Sequence, residues 1–218
     1  MNPKPKAALV VLNGAPPSRS LVRRLARGVD LIVAADGGAN ILRKYNVHPD
    51  VVIGDLDSIE PVTRRRLKSA RFVRLENQDS TDFEKALVFL VRERVSRVFV
   101  LGAEGKRIDF TLGNFASIWK FVPHLRVSLL GEDWLAVPVT KNLELSVPAG
   151  TTVSLIPYTA CSGVTLKGFR YPLRNARLRV ESLGISNVTK VRRSSIRLRK
   201  GRFLVVALGR FAHRGILK

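Results

Sequence analysis

Two aspartates, Asp55 and Asp57, stand two residues apart in Gly54-Asp55-Leu56-Asp57-Ser58, directly after the apolar run Val51-Val52-Ile53. Paired carboxylates repel one another unless a cation or a set of N–H donors offsets the charge. Other apolar runs lead into similar loops. Leu31–Ala35 runs into Asp36-Gly37-Gly38-Ala39-Asn40, and Phe72–Leu75 leads to Asn77-Gln78-Asp79-Ser80-Thr81-Asp82. Val98–Leu101 opens onto Gly102-Ala103-Glu104-Gly105-Lys106-Arg107-Ile108-Asp109. Carboxylates without a histidine or thiol nearby suit a hard cation held by oxygen, above all magnesium, which joins a few carboxylates to substrate phosphates. Gly-rich turns offer backbone N–H groups to phosphate oxygens. Lys106 and Arg107 can neutralise further phosphate charge. The combination points to metal-assisted phosphoryl transfer from a nucleotide. Taken singly, Gly37-Gly38 reads equally well as a tight turn, and Asp82 as a helix-start residue favoured by the dipole. The chain has neither a Gly-x-x-x-x-Gly-Lys-Ser/Thr loop nor a dinucleotide fingerprint.

These loops can share one site only if the elements before them share one edge. Short apolar runs at 7–12, 31–35, 51–53, 72–75, 98–101 and 127–130 read as strands. Between them lie stretches of helical spacing, at about 18–27, 38–45, 60–69 and 109–121. The clearest helix covers 82–95, where Phe83, Ala86, Leu87, Leu90, Val91 and Val95 fall on one face. Thr81 followed by Glu84 is a capping-box pattern that starts it. Six strands alternating with helices predict a mostly parallel six-stranded sheet with helices on both faces. In such a sheet ligands bind at the carboxyl ends of the strands, where all the acidic loops fall.

After Gly131 the texture changes to short alternating runs. They are centred on Leu143/Leu145/Val147, Val153/Leu155, Val164/Leu166, Leu178/Val180 and Ile196/Leu198, and turn formers separate them. This pattern predicts an all-β sandwich. The expected domains are 1–131, α/β and catalytic, and 132–218, all-β.

The chain has 38 Lys and Arg against 17 Asp and Glu, a net charge of +21. Residues 132–218 hold 16 of the basic and 4 of the acidic residues, so both parts are basic. No Lys/Arg block with interleaved aromatics occurs, which favours a solvated basic surface over a dedicated nucleic-acid surface. No apolar run reaches the roughly 18–20 residues that span a bilayer. The apolar stretch at 7–12 ends in the turn signal Asn13-Gly14 and reads as a first strand rather than a signal peptide. A single cysteine, Cys161, excludes an internal disulfide and fits a cytoplasmic setting. His48, His124 and His213 are scattered without ligand-like spacing.

The loops from Asp36 to Asn40, Gly54 to Ser58, Asp79 to Leu87 and Gly102 to Asp109 resemble, in order and spacing, those of the thiamine pyrophosphokinase family. Ser154-Leu155-Ile156-Pro157, the stretch Gly163 to Leu173 and Gly184-Ile185-Ser186-Asn187 are similar to that family's β domain. The resemblance covers nearly the whole chain. It implies an α/β domain followed by a β-sandwich, a homodimer, and magnesium-dependent transfer of pyrophosphate from ATP to the hydroxyl of thiamine, giving thiamine diphosphate and AMP. It implies catalytic roles for Asp36, Asp55, Asp57 and Asp82, with Asp55, Asp57 and Asp82 on the metal. ATP contacts are implied for Gly37, Gly38, Gln78, Asp79, Gly102, Lys106, Arg107 and Asp109. Ser186 and Asn187 lie near a thiamine site at the dimer interface. The chain departs from the family at Phe110, where bacterial members often carry histidine, and at Val188, where a glutamate often follows the Ser-Asn pair. A pyrophosphokinase for another hydroxymethyl heterocycle, such as a pterin, is the alternative within the same chemistry. A non-catalytic basic nucleic-acid-binding protein is the alternative of another class; the intact acidic loops argue against it.

Overall fold

The structure is a computed structural model that describes residues 6–77 and 79–210. It divides into two compact units, Met1–Gly131 and Glu132–Lys218. In the first, strands β1 (Ala7–Val11), β2 (Leu31–Ala35), β3 (Val51–Gly54), β4 (Arg71–Arg74), β5 (Arg97–Leu101) and β6 (Arg126–Leu130) alternate with helices. The helices are α1 (Arg19–Ala26), α2 (Gly38–Lys44), α3 (Pro61–Arg66), α4 (Asp82–Arg92) and α5 (Ile108–Ser117).

The six strands pair in parallel in the order β6-β5-β1-β2-β3-β4. The central strand β1 is fully enclosed: Ala8, Leu9, Val10 and Val11 have no exposure, as a parallel strand covered on both faces requires. The chain steps outward from β1 to β4, then returns past β1 to β5. Right-handed crossovers therefore put α1, α2 and α3 on one face and α4 and α5 on the other. The order reverses between β1 and β5, which makes the exits of those strands the natural crevice of the sheet.

Local sequence accounts for the best-defined helix. Thr81 caps α4, with the Thr81 side chain accepting from the Glu84 N–H and the Glu84 carboxylate accepting from the Thr81 N–H. Phe83, Ala86, Leu87 and Leu90 are buried below it. Three helices end three or more residues before their spacing predicts, α4 among them, at Arg92 instead of Val95. α3 stops at Arg66, where Leu67 turns into the core and is 1% exposed. α5 stops at Ser117 and tightens into a 3-10 turn over Ile118–Lys120, a common way for a helix to end.

The second unit is antiparallel throughout. Its strands are β7 (Trp134–Val139), β8 (Asn142–Ser146), β9 (Thr152–Pro157), β10 (Cys161–Lys167), β11 (Ala176–Leu178), β12 (Asn187–Val188), β13 (Arg193–Arg197) and β14 (Phe203–Leu208). They run β12-β9-β14-β7 on one side of the core and β11-β10-β13-β8 on the other. The inward residues of β8, β10 and β13, such as Leu145, Leu166 and Ile196, are buried with Leu155, Phe203 and Val205. Strands β7 and β14 are nearly continuous apolar runs rather than alternating ones, and β14 pairs on both sides. Val180, grouped with Leu178 by its alternation, lies outside β11 and is 69% exposed. Among the described residues no helix is long and apolar enough to cross a membrane.

One glycine of the Gly37-Gly38 pair has a packing reason of its own. A Cβ on Gly38 would stand 2.0 Å from the Val11 carbonyl oxygen, so α2 can approach β1 only without a side chain there. Gly38→Ala must push helix and strand apart. We expect a loss of about 1–3 kcal/mol, read as a lowered thermal midpoint against Gly113→Ala, where a Cβ meets nothing within 4 Å.

Candidate active site

The acidic loops gather at the carboxyl edge of the first sheet. Asp36 follows β2 directly, and its N–H donates to the Ile53 carbonyl of β3 at 2.8 Å. Its backbone is left-handed (φ 44), and the residue is only 5% exposed. Asparagine and aspartate bear this conformation better than most residues. Gly54 ends β3 with φ +148. A Cβ at this position would lie 3.0 Å from Asp82 Oδ1 and 3.1 Å from the Asp36 Cβ. Glycine therefore lets β3 leave the sheet between two carboxylate-bearing residues.

Asp55 and Asp57 are held by a short local network. Asp55 Oδ1 accepts the Asp57 N–H at 3.3 Å, and Asp57 Oδ1 accepts the Ser58 hydroxyl at 2.9 Å. The Ser58 N–H donates to Asp36 Oδ1 at 3.3 Å. Asp36, Asp55 and Asp57 can each direct a carboxylate oxygen to a common point, all within 4.8 Å of one another. None of the three has a cationic side-chain partner among the described residues. Three oxygen donors in mutual range without a counter-charge fit a small divalent cation.

Asp82 differs. It is the first residue of α4, and its Oδ1 accepts from Lys85 Nζ at 3.0 Å. Lys85 is 6% exposed, and its charge is spent on this pair. Burial pushes the Asp82 carboxyl above its ordinary 3.8; Lys85 opposes that push, while Asp36 and Asp55 add to it by repulsion. A raised folded value means that metal-free folding is favoured as pH falls through it towards 3.8 and penalised above it.

A cavity of about 470 Å³ opens beside these residues. Asp36, Asp55, Asp57 and Asp82 line it, together with Gly14, Gly102, Lys106, Arg107 and Phe110. The loops after β1 and β5 are joined by main-chain bonds from Leu12 N–H to the Leu101 carbonyl at 2.9 Å and from Gly14 N–H to the Gly102 carbonyl at 3.1 Å. Lys106 Nζ donates to Asn13 Oδ1 at 2.7 Å. Arg107 Nε donates to Asp109 Oδ1 at 3.1 Å, and the guanidinium lies 4.5 Å from the centre of the Phe110 ring. This ion pair holds Asp109 below the usual carboxylate range and Arg107 above its own.

Other expected site residues lie elsewhere. Gly37 and Gly38 are outside the cavity lining, at the start of α2, with Gly37 against the Asn13 side chain. Asp79 is exposed and its N–H donates to Asn77 Oδ1. Asp109 turns to Arg107 and does not line the cavity. Gln78 is outside the described residues. In the second unit, the Asn187 amide donates to the Tyr171 carbonyl at 2.7 Å and accepts the Tyr171 N–H at 3.1 Å. Ser186 is left-handed (φ 63), with its N–H on Ser154 Oγ. The cavity also enlists Asn13, Ser58 and Asn114, which the residue pattern alone did not single out. Asn114 is the one buried residue of α5, an amide whose neighbours on the helix give no apolar stripe to mark it, and it donates to the Ala103 carbonyl at 2.9 Å.

Comparison with known proteins follows the same division of the chain. Residues 22–129 match the family model described as thiamin pyrophosphokinase, catalytic domain, and residues 138–203 match the thiamin pyrophosphokinase vitamin B1 binding domain. Thiamine pyrophosphokinase 1 of Oryza sativa subsp. japonica is 30% identical over 230 residues, covering 88% of this chain and 82% of that protein. Thiamine pyrophosphokinase of Bacillus subtilis is 28% identical over 185 residues, covering 81% of this chain and 86% of the relative. The crystal structure of the Bacillus subtilis enzyme superposes with a TM-score of 0.82 at 24% identity, over 94% of this chain and 100% of that one. Thiamin pyrophosphokinase from Candida albicans gives 0.83 at 19% identity, over 94% and 89%.

Lys85→Met removes the cation that counters the burial of Asp82. The Asp82 carboxyl then rises further, so it takes up its proton at a higher pH. We expect the acidic limb of kcat/KM to move to higher pH in this variant, measured at saturating magnesium, while Lys85→Arg restores it. An unmoved limb would separate Lys85 from the charge state of Asp82.

Proposed function

Because the chain belongs to the thiamine pyrophosphokinase family, ATP-dependent pyrophosphotransferases, we propose the following division of labour among its residues. Asp36, Asp55 and Asp57 hold magnesium, with Asp82 beside them. The convergence of their oxygens within 4.8 Å carries this reading. Magnesium held there would supply positive charge to offset the negative charge that develops on the ATP phosphates during transfer.

The remaining work falls to the chain itself. The joined loops after β1 and β5 bring Lys106 to the triphosphate, and Arg107, which lines the same cavity, adds a second cation. Asn114 fixes the Ala103 carbonyl, and so the shape of the β5 loop. The thiamine hydroxyl attacks the β-phosphorus in line, AMP leaves, and one carboxylate of the acidic set accepts the hydroxyl proton. Ser186 and Asn187 belong to the thiamine side. With both ends of its amide on the Tyr171 main chain, Asn187 acts by shaping the segment around Tyr171.

We assign the active form as a homodimer in the cytoplasm. Exposed apolar side chains in the second unit support the dimer: Val180 and Leu183 are each 69% exposed, and Ile185 52%. The single buried Cys161, its thiol pushed up by burial, fits a reducing compartment.

Incubation with ATP, magnesium and thiamine should yield AMP and thiamine diphosphate in equal amounts; ADP would overturn the pyrophosphoryl-transfer reading. Chelation of magnesium should abolish turnover and its return restore it. Asp55→Asn should lower kcat by about 10²–10³-fold while leaving the thermal midpoint close to that of the parent. Near-normal turnover in that variant would remove Asp55 from the metal set.

A further inference from the structure

The excess positive charge has no role in the site just described. Along the chain the cations of the second unit look dispersed, but the sheet β11-β10-β13-β8 gathers six of them on its outward face. Along β13 the buried residues are Ser194, Ile196 and Leu198, so Arg193 and Arg197 point outward. Beyond the strand, the N–H groups of Arg199 and Lys200 both bond to the Ser162 carbonyl at 3.2 Å. Two residues therefore oppose one, a bulge that leaves both side chains exposed. Arg177 of β11 pairs with the same Ser162 from the other side. Lys167 of β10 pairs with Ser195, between Arg193 and Arg197.

None of the six cations has an ion-pair partner among the described residues. The one carboxylate on this face is Glu144 of β8, opposite Ser195. Like charges on one sheet face repel, so folding gives no reason to gather them. We propose that this face binds the phosphate backbone of a nucleic-acid duplex, without reading its sequence.

The chemistry of the face selects that partner. Four of the six cations are arginines, whose planar forks suit phosphate oxygens. Between them stand Ser195, Thr165 and Asn142, small polar groups that commonly add hydrogen bonds to phosphates. From Arg193 to Lys200 the row spans about 23 Å at the rise of an extended strand, roughly seven base pairs of duplex. Strands β8, β10, β11 and β13 contain no aromatic residue, so the face offers no platform for unstacked bases. Their apolar side chains point inward, so the face offers no wedge for a lipid bilayer either.

The test uses the full chain with a duplex of about 20 base pairs, as DNA and as RNA, across about 50 to 200 mM salt. The parent should bind both, with log K falling against log salt at a slope of about −5 on DNA. Arg197→Gln/Arg199→Gln/Lys200→Gln should flatten that slope by about 2.7. A control, Arg65→Gln/Arg66→Gln/Lys68→Gln, removes equal charge at the end of α3 and should leave the slope unchanged. Equal flattening by the two triple variants would overturn the proposal, since binding would then follow net charge alone. So would failure to bind duplex at the lowest salt. Preferential binding to phosphatidylserine vesicles, lost in the first variant, would overturn it in favour of a membrane surface.

Discussion

The repulsion among carboxylates at the exits of β2 and β3 is the constraint around which the first unit is built. Asp36, Asp55 and Asp57 each bring a carboxylate oxygen within 4.8 Å of the others with no side-chain cation between them, and Asp82 stands with Asp36 around Gly54. Free carboxylates would move apart. Here the main chain denies them that freedom: Asp36 is tied to Ile53, Ser58 is tied to Asp36, and Asp57 is tied to Asp55. A parallel sheet supplies the rigidity for this, because β2 and β3 are in register and fully bonded up to the last residue before each loop. On the proposed reading, a bound cation would remove the cost of this crowded charge.

Lys85 marks the boundary of that arrangement. Of the four carboxylates it serves one, and it reaches that one from the next turn of the same helix. The lysine opposes the burial, and the repulsion from Asp36 and Asp55, that push the Asp82 carboxyl up, so it supports Asp82 in its partly buried place at the helix start. The other three have no such internal partner. Two charge environments thus meet at one edge of the sheet: a carboxylate with a fixed cation from the chain, and three in mutual range without one, the set proposed to hold magnesium.

Much of this was legible in the sequence because strand exits and acidic loops coincide there. The alternation of apolar runs and helical stripes yields the six-stranded α/β unit, and Thr81 with Glu84 marks the start of α4 as found. Residues whose role depends on a distant backbone were not legible. Gly38 looks like part of a phosphate loop but is there because Val11 lies 2.0 Å from where its Cβ would be. Asp109 reads as a ligand-facing group beside Arg107, yet it turns to the Arg107 guanidinium and stays out of the cavity that Arg107 lines. In the second unit, β7 and β14 escaped notice because their apolar runs are nearly continuous and lack the alternation that identifies half-exposed strands. Asn114 is a further case: the apolar residues Ile108, Phe110 and Leu112 of α5 are exposed while this amide is buried on the Ala103 carbonyl, so spacing could not single it out.

Charge distribution shows how a sum can mislead where an arrangement informs. A net charge of +21 suggests a uniformly basic surface, and the even spread along the chain supports that picture. In three dimensions the two signs separate. The acids of the first unit concentrate at the carboxyl edge of its sheet, where opposed charge would be needed only from a metal. In the second unit, period-two alternation along β13 sends every second residue to one face and so converts a dispersed run, Arg193 to Lys200, into a row. A polyanion approaching this protein meets a long-range attraction from the whole surface. Whether it is then held depends on local geometry: at the acidic edge a phosphate needs a metal as intermediary, whereas at the basic sheet it needs none. The two faces therefore select different anions even though the same net charge draws both in.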